Sequence, residues 1–291
     1  MTKSTTTLVT GSNLEHTMAI SIPEHLHTGN AENYKMSIRL CSDGLSFSGY
    51  NPSESGSFFY GETTYDRSKS YIAWLKDLFF ENDFFNYPFA AIQVLYLSSR
   101  YTLVPNVVLK DKEEEAFLSF TLSGSTQKGI RNAVRGEEMT VVFDMPEDIY
   151  EFCARSLLNP TFVHHLVPFL SVWKKRSAQS IPKHMYVYIH GADLDIVCYD
   201  QGRLLFANSF PFQDTTDIIY FILYAWRQNG MDQKKDLLLL DAPKLLRSEL
   251  QQILSSFIFK MESIGIPTEF YLLGSGTDRA PLDLLYLSIC E

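Results

Sequence analysis

The sequence contains a long internal repeat, which constrains the fold more than any other feature. Residues 36–50 read MSIRLCSDGLSFSGY, and residues 185–199 read MYVYIHGADLDIVCY. Each segment has an alternating apolar run, a short polar turn and a second alternating run, which is the pattern of a β-hairpin. A third strand pattern follows each hairpin, at residues 58–65 and 204–210. The repeat predicts two related halves that face each other across a cleft.

The segments after each hairpin extend the pattern. An aspartate precedes a helical pattern in both units, and we expect Asp66 and Asp214 to cap these helices by accepting hydrogen bonds from their first N–H groups. The second unit then alternates between strand and helix patterns, at residues 236–240, 242–261, 269–273 and 281–289. It is therefore predicted to run β-β-β-α-β-α-β-α.

Apolar residues in the central strands are the expected core. Their positions alternate with polar residues or form short continuous apolar runs, as in strands that are covered on one or both faces. The predicted core residues are Leu40, Leu45, Ile189, Leu194, Ile196, Leu239 and Leu240.

The length of 291 residues suits two domains of roughly 100–150 residues each. We expect a polar leader over residues 1–33, a first half over residues 34–178 that carries an insertion, and a second half over residues 179–291. In the insertion, residues 117–122 are predicted to form a strand, followed by a polar loop at residues 123–136.

Two adjacent histidines, His164 and His165, lie in a predicted strand at residues 162–167. Neighbouring residues of a strand point to opposite faces, so these two side chains are not expected to bind one ligand together. One buried and one exposed histidine is the expectation.

The charge balance restricts the partners of the chain. The formal net charge is −9 and the isoelectric point is about 5.3, whereas a general nucleic-acid binder needs a positive face. The one dense basic run, at residues 174–176, is short and suits the C-terminal end of a helix. We therefore expect no nucleic acid and no anionic membrane as a partner.

The cysteines and apolar segments indicate the compartment. None of the four cysteines forms a C-x-x-C pair, which favours free thiols in a reducing environment over disulfides or zinc. The N-terminus lacks the apolar segment of a secretory signal, and the longest apolar helical stretch, residues 218–226, is far short of the roughly 20 residues that span a bilayer. A cytoplasmic protein without a transmembrane segment is expected.

The predicted order of elements, given twice, resembles the ribonuclease-H-like unit of the actin-like ATPase superfamily. The chain is similar to small bacterial members, namely the cell-division actin homologue and the cytoplasmic platform proteins of type IV pili and type II secretion. It also resembles an uncharacterised bacterial family with this fold, most of all in residues 192–226. The resemblance covers roughly residues 34–291 and implies an α/β fold of two tandem ribonuclease-H-like units.

The resemblance also implies where a nucleotide would bind. In active members, a hairpin from each half holds the phosphates through an acidic residue and a glycine, and the carboxylates hold hydrated Mg²⁺. Here the first hairpin offers Asp43 and Gly44, and the second offers Gly191 and Asp193 in reversed order. Asp-Gly is also a common hairpin turn for conformational reasons. Asp193 shares a strand face with Asp195, and the two could bind a metal or form the solvated face of the hairpin.

A third candidate element is the pair Gly274 and Gly276, which precedes the last predicted helix. It occupies the position of the glycines that contact adenosine in the family, although loop glycines are common and a helix N-terminus can also hold an anion. The candidate nucleotide-binding residues are therefore Asp43, Gly44, Gly191, Asp193, Gly274 and Gly276. The chain has no Walker A, H-E-x-x-H or G-x-S-x-G motif, and we assign no catalytic residue and no metal ligand.

Two functions remain open. One is a non-catalytic scaffold of actin-like fold that binds another protein, and the other is a divergent phosphotransferase or ATPase with Mg-ATP as cofactor. Compared with active members, the first hairpin is one residue shorter around Asp43, and the second has Gly191 before Asp193. Since phosphoryl transfer depends on positioning, we expect little or no ATP hydrolysis, which favours the scaffold.

Overall fold

The computed structural model describes residues 20, 22–124, 127–268, 270, 274 and 276–289. The strands are β1 Lys35–Cys41, β2 Gly44–Tyr50, β3 Phe59–Thr64, β4 Ala91–Tyr96, β5 Tyr101–Pro105, β6 Lys128–Ala133, β7 Met139–Met145, β8 Thr161–His164, β9 His184–His190, β10 Asp193–Asp200, β11 Arg203–Pro211, β12 Leu237–Asp241 and β13 Met261–Ser263. The α-helices are α1 Tyr71–Glu81, α2 Glu114–Thr121, α3 Glu147–Ser156, α4 Leu166–Ala178, α5 Thr215–Gln228, α6 Lys244–Leu254 and α7 Leu282–Ile289. Short 3₁₀ helices cover Ala31–Asn33 and Asp83–Asn86.

The two halves have the same sheet topology. In the first half the strand order is β3-β2-β1-β4-β8, and in the second it is β11-β10-β9-β12-β13. In each sheet the first three strands in sequence are antiparallel, and the last two are parallel to the first strand. Each half therefore runs β-β-β-α-β-α-β-α, with an insertion in the first half.

The insertion lies between β4 and α3 and forms a three-stranded antiparallel sheet in the order β5-β7-β6. The predicted strand at residues 117–122 is wrong, because these residues belong mostly to α2. Leu118, Val104 and Val142 form a small core between this helix and the sheet. The predicted loop at residues 123–136 contains β6 instead, whose side chains are only half-buried.

In the second half, the helix predicted over residues 242–261 is too long. Helix α6 ends at Leu254, and Ser255 and Ser256 begin a turn through which the chain reverses to enter β13. β13 pairs in parallel with β12 and supplies the fifth strand of this sheet. The strand predicted at residues 269–273 lies almost entirely outside the described residues, and Phe270 belongs to a 3₁₀ turn.

One of the two expected helix caps is correct. Asp214 accepts hydrogen bonds from the backbone N–H groups of Thr216 and Asp217 at the start of α5. Asp66 instead accepts from Ser68 in a local turn, and Ser70 caps α1 through its hydroxyl oxygen. The Asp66 carboxylate is already occupied by this turn, so the helix begins one turn later in the chain.

All seven predicted core residues are buried. Each sheet is covered on both faces. One face of the first sheet packs against α1 and α3, and one face of the second packs against α5 and α6. The segment predicted as a polar leader contributes Leu26 and Ala31 to the first of these cores, within its described part.

A third core lies between the halves. It contains Phe169 and Trp173 of α4, Tyr186 and Tyr188 of β9, and Tyr286 of α7, together with residues of the inserted sheet. Phe169 stacks on Trp173, and Trp173 stacks on Tyr186, with ring centroids 4.4 and 4.6 Å apart. Aromatic side chains therefore fill the interior between the two sheets, and the edge formed by the carboxyl ends of β1, β4, β9 and β12 is open.

Candidate functional site

The open edge is a cleft of about 720 Å³ at the carboxyl ends of four parallel strands. β1 ends at Cys41 and β9 ends at His190, and the two hairpin turns follow them on opposite sides of the cleft. The segments after β4 and β12 complete the walls, at residues 97–100 and 241–243. Crevices at the carboxyl ends of parallel strands are the usual ligand sites of α/β folds, because loops and strand ends converge there.

The structure brings three of the predicted residues to this cleft. Asp43, Gly191 and Asp193 line it, whereas Gly44 lines a smaller neighbouring cavity between β1, β2 and β3. The predicted role of these residues in nucleotide binding stays a prediction. The two turns lie close together, since a β-carbon built on Gly191 would be 3.5 Å from the Ser42 hydroxyl oxygen.

The two glycines of the hairpins serve different purposes. Gly191 has a φ of +54° and supplies the left-handed backbone of the second turn. Gly44, in contrast, does not have a positive φ. Gly44 is needed for space, because an added Cβ would overlap the backbone oxygen of Thr63 on the paired strand β3.

Gly274 and Gly276 do not belong to the described lining of the cleft. Gly274 packs against the first half, where a Cβ would lie 2.7 Å from the carbonyl oxygen of Gly56. Gly276 lies near Tyr60 and Arg279. The residues that follow them, Asp278 and Arg279, line the cleft instead.

The cleft is lined by charges of both signs. The carboxylates belong to Asp43, Asp193, Asp241 and Asp278, and the guanidinium groups to Arg39, Arg100 and Arg279. Burial and the nearby charge of Asp283 raise the pKa of Asp241 to about 6. Burial also raises the pKa of Asp193 above its ordinary value.

A buried ion pair ties the halves together below the cleft. Arg39 of β1 donates from Nε to Oδ2 of Asp283 in α7 at 2.7 Å, and from Nη2 to the Tyr188 hydroxyl of β9 at 3.1 Å. The Tyr188 hydroxyl donates to the same Asp283 oxygen at 3.2 Å. The Arg39 side chain is 11% exposed and that of Asp283 is 0% exposed. These three residues, which we call the clamp, link the first half, the second half and the C-terminal helix.

A second buried polar cluster lies beside the second hairpin. The Nε2 atoms of His165 and His190 lie 2.8 and 2.9 Å from the same carboxylate oxygen, Oδ2 of Asp195. Ser209, directly opposite Asp195 on β11, donates its hydroxyl to the other oxygen. Both His165 and Asp195 are 0% exposed, while His190 reaches the cleft. We call His165, His190 and Asp195 the histidine cluster.

The expectation for the histidine pair is wrong, since both His164 and His165 are buried. β8 ends at His164 and α4 begins after His165, so the two rings do not follow strand alternation. The Nε2 of His164 lies 2.9 Å from the Ser98 carbonyl oxygen, and its Nδ1 accepts from the Leu166 N–H. These partners define a neutral ring, and burial together with the nearby His165 holds the pKa of His164 well below its usual range.

The environment of the histidine cluster lowers the pKa of Asp195 and raises that of His190. Burial alone would raise the pKa of the Asp195 carboxyl, but the charges and hydrogen bonds of His165 and His190 outweigh burial and lower it. Burial alone would lower the pKa of His190, but the Asp195 carboxylate raises it. Asp195 is therefore an ionised carboxylate inside the protein, stabilised by two imidazoles.

Sequence reasoning missed most of the polar residues of both clusters. For Asp195 it left open a metal ligand or a solvated face, and the solvated face is wrong, because Leu194 and Ile196 flank it in a strand that is buried on both faces. An acidic residue inside such an apolar run was the available signal, because a buried charge requires partners. The signal for the clamp was weaker, since Arg39 and Asp283 are separated by 244 residues.

The family profile described as "Protein of unknown function (DUF3822)" matches residues 23–260. The chain belongs to the DUF3822 family. No curated protein sequence matches the chain significantly.

Solved structures with TM-scores above 0.5 confirm the fold. A crystal structure from Bacteroides thetaiotaomicron VPI-5482, described as a protein with actin-like ATPase fold and unknown function, matches with a TM-score of 0.80 and 27% identity over 91% of this chain and 99% of that chain. The PilM-PilN type IV pilus biogenesis complex matches with a TM-score of 0.53 and 11% identity, over 88% and 97%. The cytoplasmic domain of EpsL, from the type II secretion system of Vibrio cholerae, matches with a TM-score of 0.44 and 13% identity, over 89% and 96%.

The predicted actin-like ATPase fold and the resemblance to an unknown-function family are therefore confirmed. Within the part of the chain that the structure describes, none of the helices has the length and apolarity needed to cross a bilayer.

Proposed function

We propose that this DUF3822 protein is a non-catalytic scaffold of actin-like fold that binds another protein. The proposal treats the fold and the catalytic activity as separate properties. The two sheets and the cleft between them are retained, whereas the two hairpin turns lie close together at Ser42 and Gly191 and four carboxylates line the cleft. Phosphoryl transfer depends on exact positioning of the groups that hold the phosphates.

The observation that carries the proposal is the contact between the two hairpin turns. In a nucleotide-binding arrangement, the phosphates would lie between these turns. Here the backbone of Gly191 approaches the Ser42 hydroxyl so closely that a single added carbon would be in van der Waals contact with it. A phosphate group placed between these two residues would have to displace the Ser42 side chain.

The charges of the cleft support the same conclusion. Phosphate sites commonly use lysine, arginine and backbone N–H groups. No lysine is among the described residues that line this cleft. Of its three arginines, Arg39 and Arg100 pair with Asp283 and Asp144, and Arg279 is exposed. A polyphosphate would therefore meet four carboxylates and one exposed guanidinium, and we expect it to need a cation of its own.

A neighbour of the same fold gives the proposal its second support. PilM is solved in a complex with PilN, and its structure matches nearly the whole of this chain. At 11% identity the match concerns the fold alone, so the inference drawn from it is limited to the class of function: a protein with this frame can serve as one component of an assembly.

The experiment compares thermal unfolding of the purified protein with and without Mg-ATP, and measures phosphate release in the same samples. A ligand at 100 times its dissociation constant stabilises a protein by about 2.7 kcal/mol, which gives an easily measured shift. We expect no shift and no release of phosphate.

The competing function is a divergent ATPase, which is favoured by the presence of Asp43 and Asp193 in one cleft. Mg-dependent ATP turnover that is lost in both Asp43→Ala and Asp193→Ala, without loss of folding, would replace the scaffold with this function. Asp111→Ala is the matched control, because Asp111 is an exposed carboxylate outside the cleft.

A further inference from the structure

The histidine cluster brings together side chains from three different elements around one carboxylate oxygen. His165 comes from the N-terminal end of α4, His190 from the end of β9 and Asp195 from β10. Three side chains from three elements converge, and their ligand atoms all lie within 4.8 Å of one another. Both imidazoles direct Nε2 at a single carboxylate oxygen.

The surroundings fix the orientation of the Asp195 carboxylate, and within the described part of the chain the His165 ring has its polar contact only at Nε2. Ser209 holds the Oδ1 atom of Asp195, so Oδ2 faces the two rings. The Nδ1 atom of His165 is buried and has no hydrogen-bond partner among the described residues. The polar contact that orients the His165 ring is therefore made at Nε2, with Asp195, and the rings of His164 and His190 pack against it.

We propose that His165, His190 and Asp195 form a binding site for one divalent transition-metal ion. Two imidazole nitrogens and one carboxylate oxygen are a donor set for zinc and its neighbours in the first transition row, whereas Mg²⁺ and Ca²⁺ prefer oxygen ligands alone. The ion would join the first half, through His165, to the second half, through His190 and Asp195.

Two of the three separations between ligand atoms are compatible with such an ion after a small adjustment, and the third, between the histidine nitrogens, is within 4.8 Å. Zinc binds nitrogen and oxygen at about 2.0–2.2 Å, which places tetrahedral ligands about 3.3 Å apart. The two histidine-to-aspartate separations of 2.8 and 2.9 Å would have to widen by about 0.5 Å. Binding replaces two N–H···O hydrogen bonds by three bonds to the ion, and the Nε2 protons move to Nδ1 or are released to solvent, which changes these separations in the right direction.

The proposed site is open to the cleft on one side, and a carboxylate on that side can balance the charge of the ion. His190 lines the cleft, so an ion or a water molecule can reach the cluster from there. Asp193 lines the same cleft and interacts electrostatically with both His190 and His165. A divalent ion with two neutral imidazoles and two carboxylates is electrically balanced, which reduces the cost of burial. Asp193 is thus the candidate for the fourth ligand or for an acceptor of a metal-bound water.

The test is a titration of the full chain, after treatment with a chelator, with Zn²⁺ by calorimetry and with Co²⁺ by visible absorption. We expect one ion per chain, visible Co²⁺ bands typical of four-coordinate nitrogen and oxygen ligation, and a rise in the midpoint of thermal unfolding. Mg²⁺ should produce neither the heat nor the thermal shift.

Variants separate this site from adventitious binding. His190→Gln should lower zinc affinity at least tenfold, and Ser209→Ala, which frees the carboxylate, should lower it about 10-fold to 100-fold. His184→Gln is the matched control, because His184 is a buried histidine on the same strand that pairs with Tyr186 and Ser180. It should bind zinc like the wild type.

The proposal is overturned if the wild type binds no ion at one equivalent, or if His190→Gln binds as tightly as His184→Gln. Either result would identify the cluster as a hydrogen-bonded support for the cleft. Should His190→Gln fail to fold, Ser209→Ala decides, since it removes only a hydroxyl. Unchanged affinity in that variant would argue against a site that depends on an oriented Asp195.

Discussion

The clamp of Arg39, Tyr188 and Asp283 gives the most direct test of how the halves are held together. In Asp283→Asn, the Arg39 guanidinium stays buried without its counter-charge. Removal of one partner from a buried ion pair costs about 3–5 kcal/mol, because the remaining charge has lost both water and its partner. The 2.7 Å contact and the 0% exposure of Asp283 place this pair in that class. Urea-induced unfolding, followed by circular dichroism, measures the loss.

The triple variant Arg39→Met, Tyr188→Phe and Asp283→Leu is the informative comparison. It removes both charges and the hydroxyl and leaves only the Leu284 N–H without its Asp283 acceptor, so it should recover most of the lost stability. The exposed pair of Arg155 and Glu151 on α3 is the control, and Arg155→Met should change stability by less than about 0.5 kcal/mol. A cost below about 1 kcal/mol for Asp283→Asn would refute the reasoning, since Arg39 would then have access to water or to another acceptor.

Three further predictions concern the sheets and the cleft, all measured by chemical denaturation. Leu239→Ala should cost about 2–5 kcal/mol through lost burial and a cavity, whereas Leu245→Ala, at a position 87% exposed, should cost almost nothing. Gly44→Ala should cost about 1–3 kcal/mol because its Cβ would overlap a backbone oxygen of β3, and Gly265→Ala, which meets no atom within 4 Å, is its control. Asp241→Asn should stabilise the protein by about 1–3 kcal/mol above about pH 6, because Asp241 has a pKa raised from 3.8 to about 6, and the gain should fade as the pH falls towards 3.8. Equal gains at about pH 4 and about pH 7.5 would contradict that assignment.

The fold could be predicted because its signals are local and repeated. The hairpins, the third strands and the helices after them are encoded by apolar periodicity within short windows, and the repeat gives each signal twice. Element limits were less accurate where two local signals compete. At residues 117–122 a short apolar run fits both a strand and a helix, and packing of Leu118 onto the inserted sheet decides in favour of α2.

The polar clusters could not be predicted in the same way, because their partners are remote in sequence. His165 lies 30 residues from Asp195, and Arg39 lies 244 residues from Asp283. Alternation assigns Asp195 to a face of β10, but only the docking of α4 buries that face. Three residues predicted from the hairpin motifs, Asp43, Gly191 and Asp193, do line the cleft. The sheet topology determines where the strands end, and therefore where these turns lie.

The repeated topology also shows where function must be sought. Arg39 pairs with Ser46 across the first hairpin, and Tyr188 pairs with Asp195 at the corresponding positions of the second. The backbone positions match, but the side chains differ. Arg39 in the first half corresponds to Tyr188 in the second, and Ser46 corresponds to Asp195. Three of these four residues contact a partner outside their own half: Arg39 and Tyr188 through the clamp, and Asp195 through His165. The Ser46 hydroxyl is buried and has no hydrogen-bond partner among the described residues. Arg39, Tyr188 and Asp195 differ from their matched residues and also join the halves, so they should be mutated first.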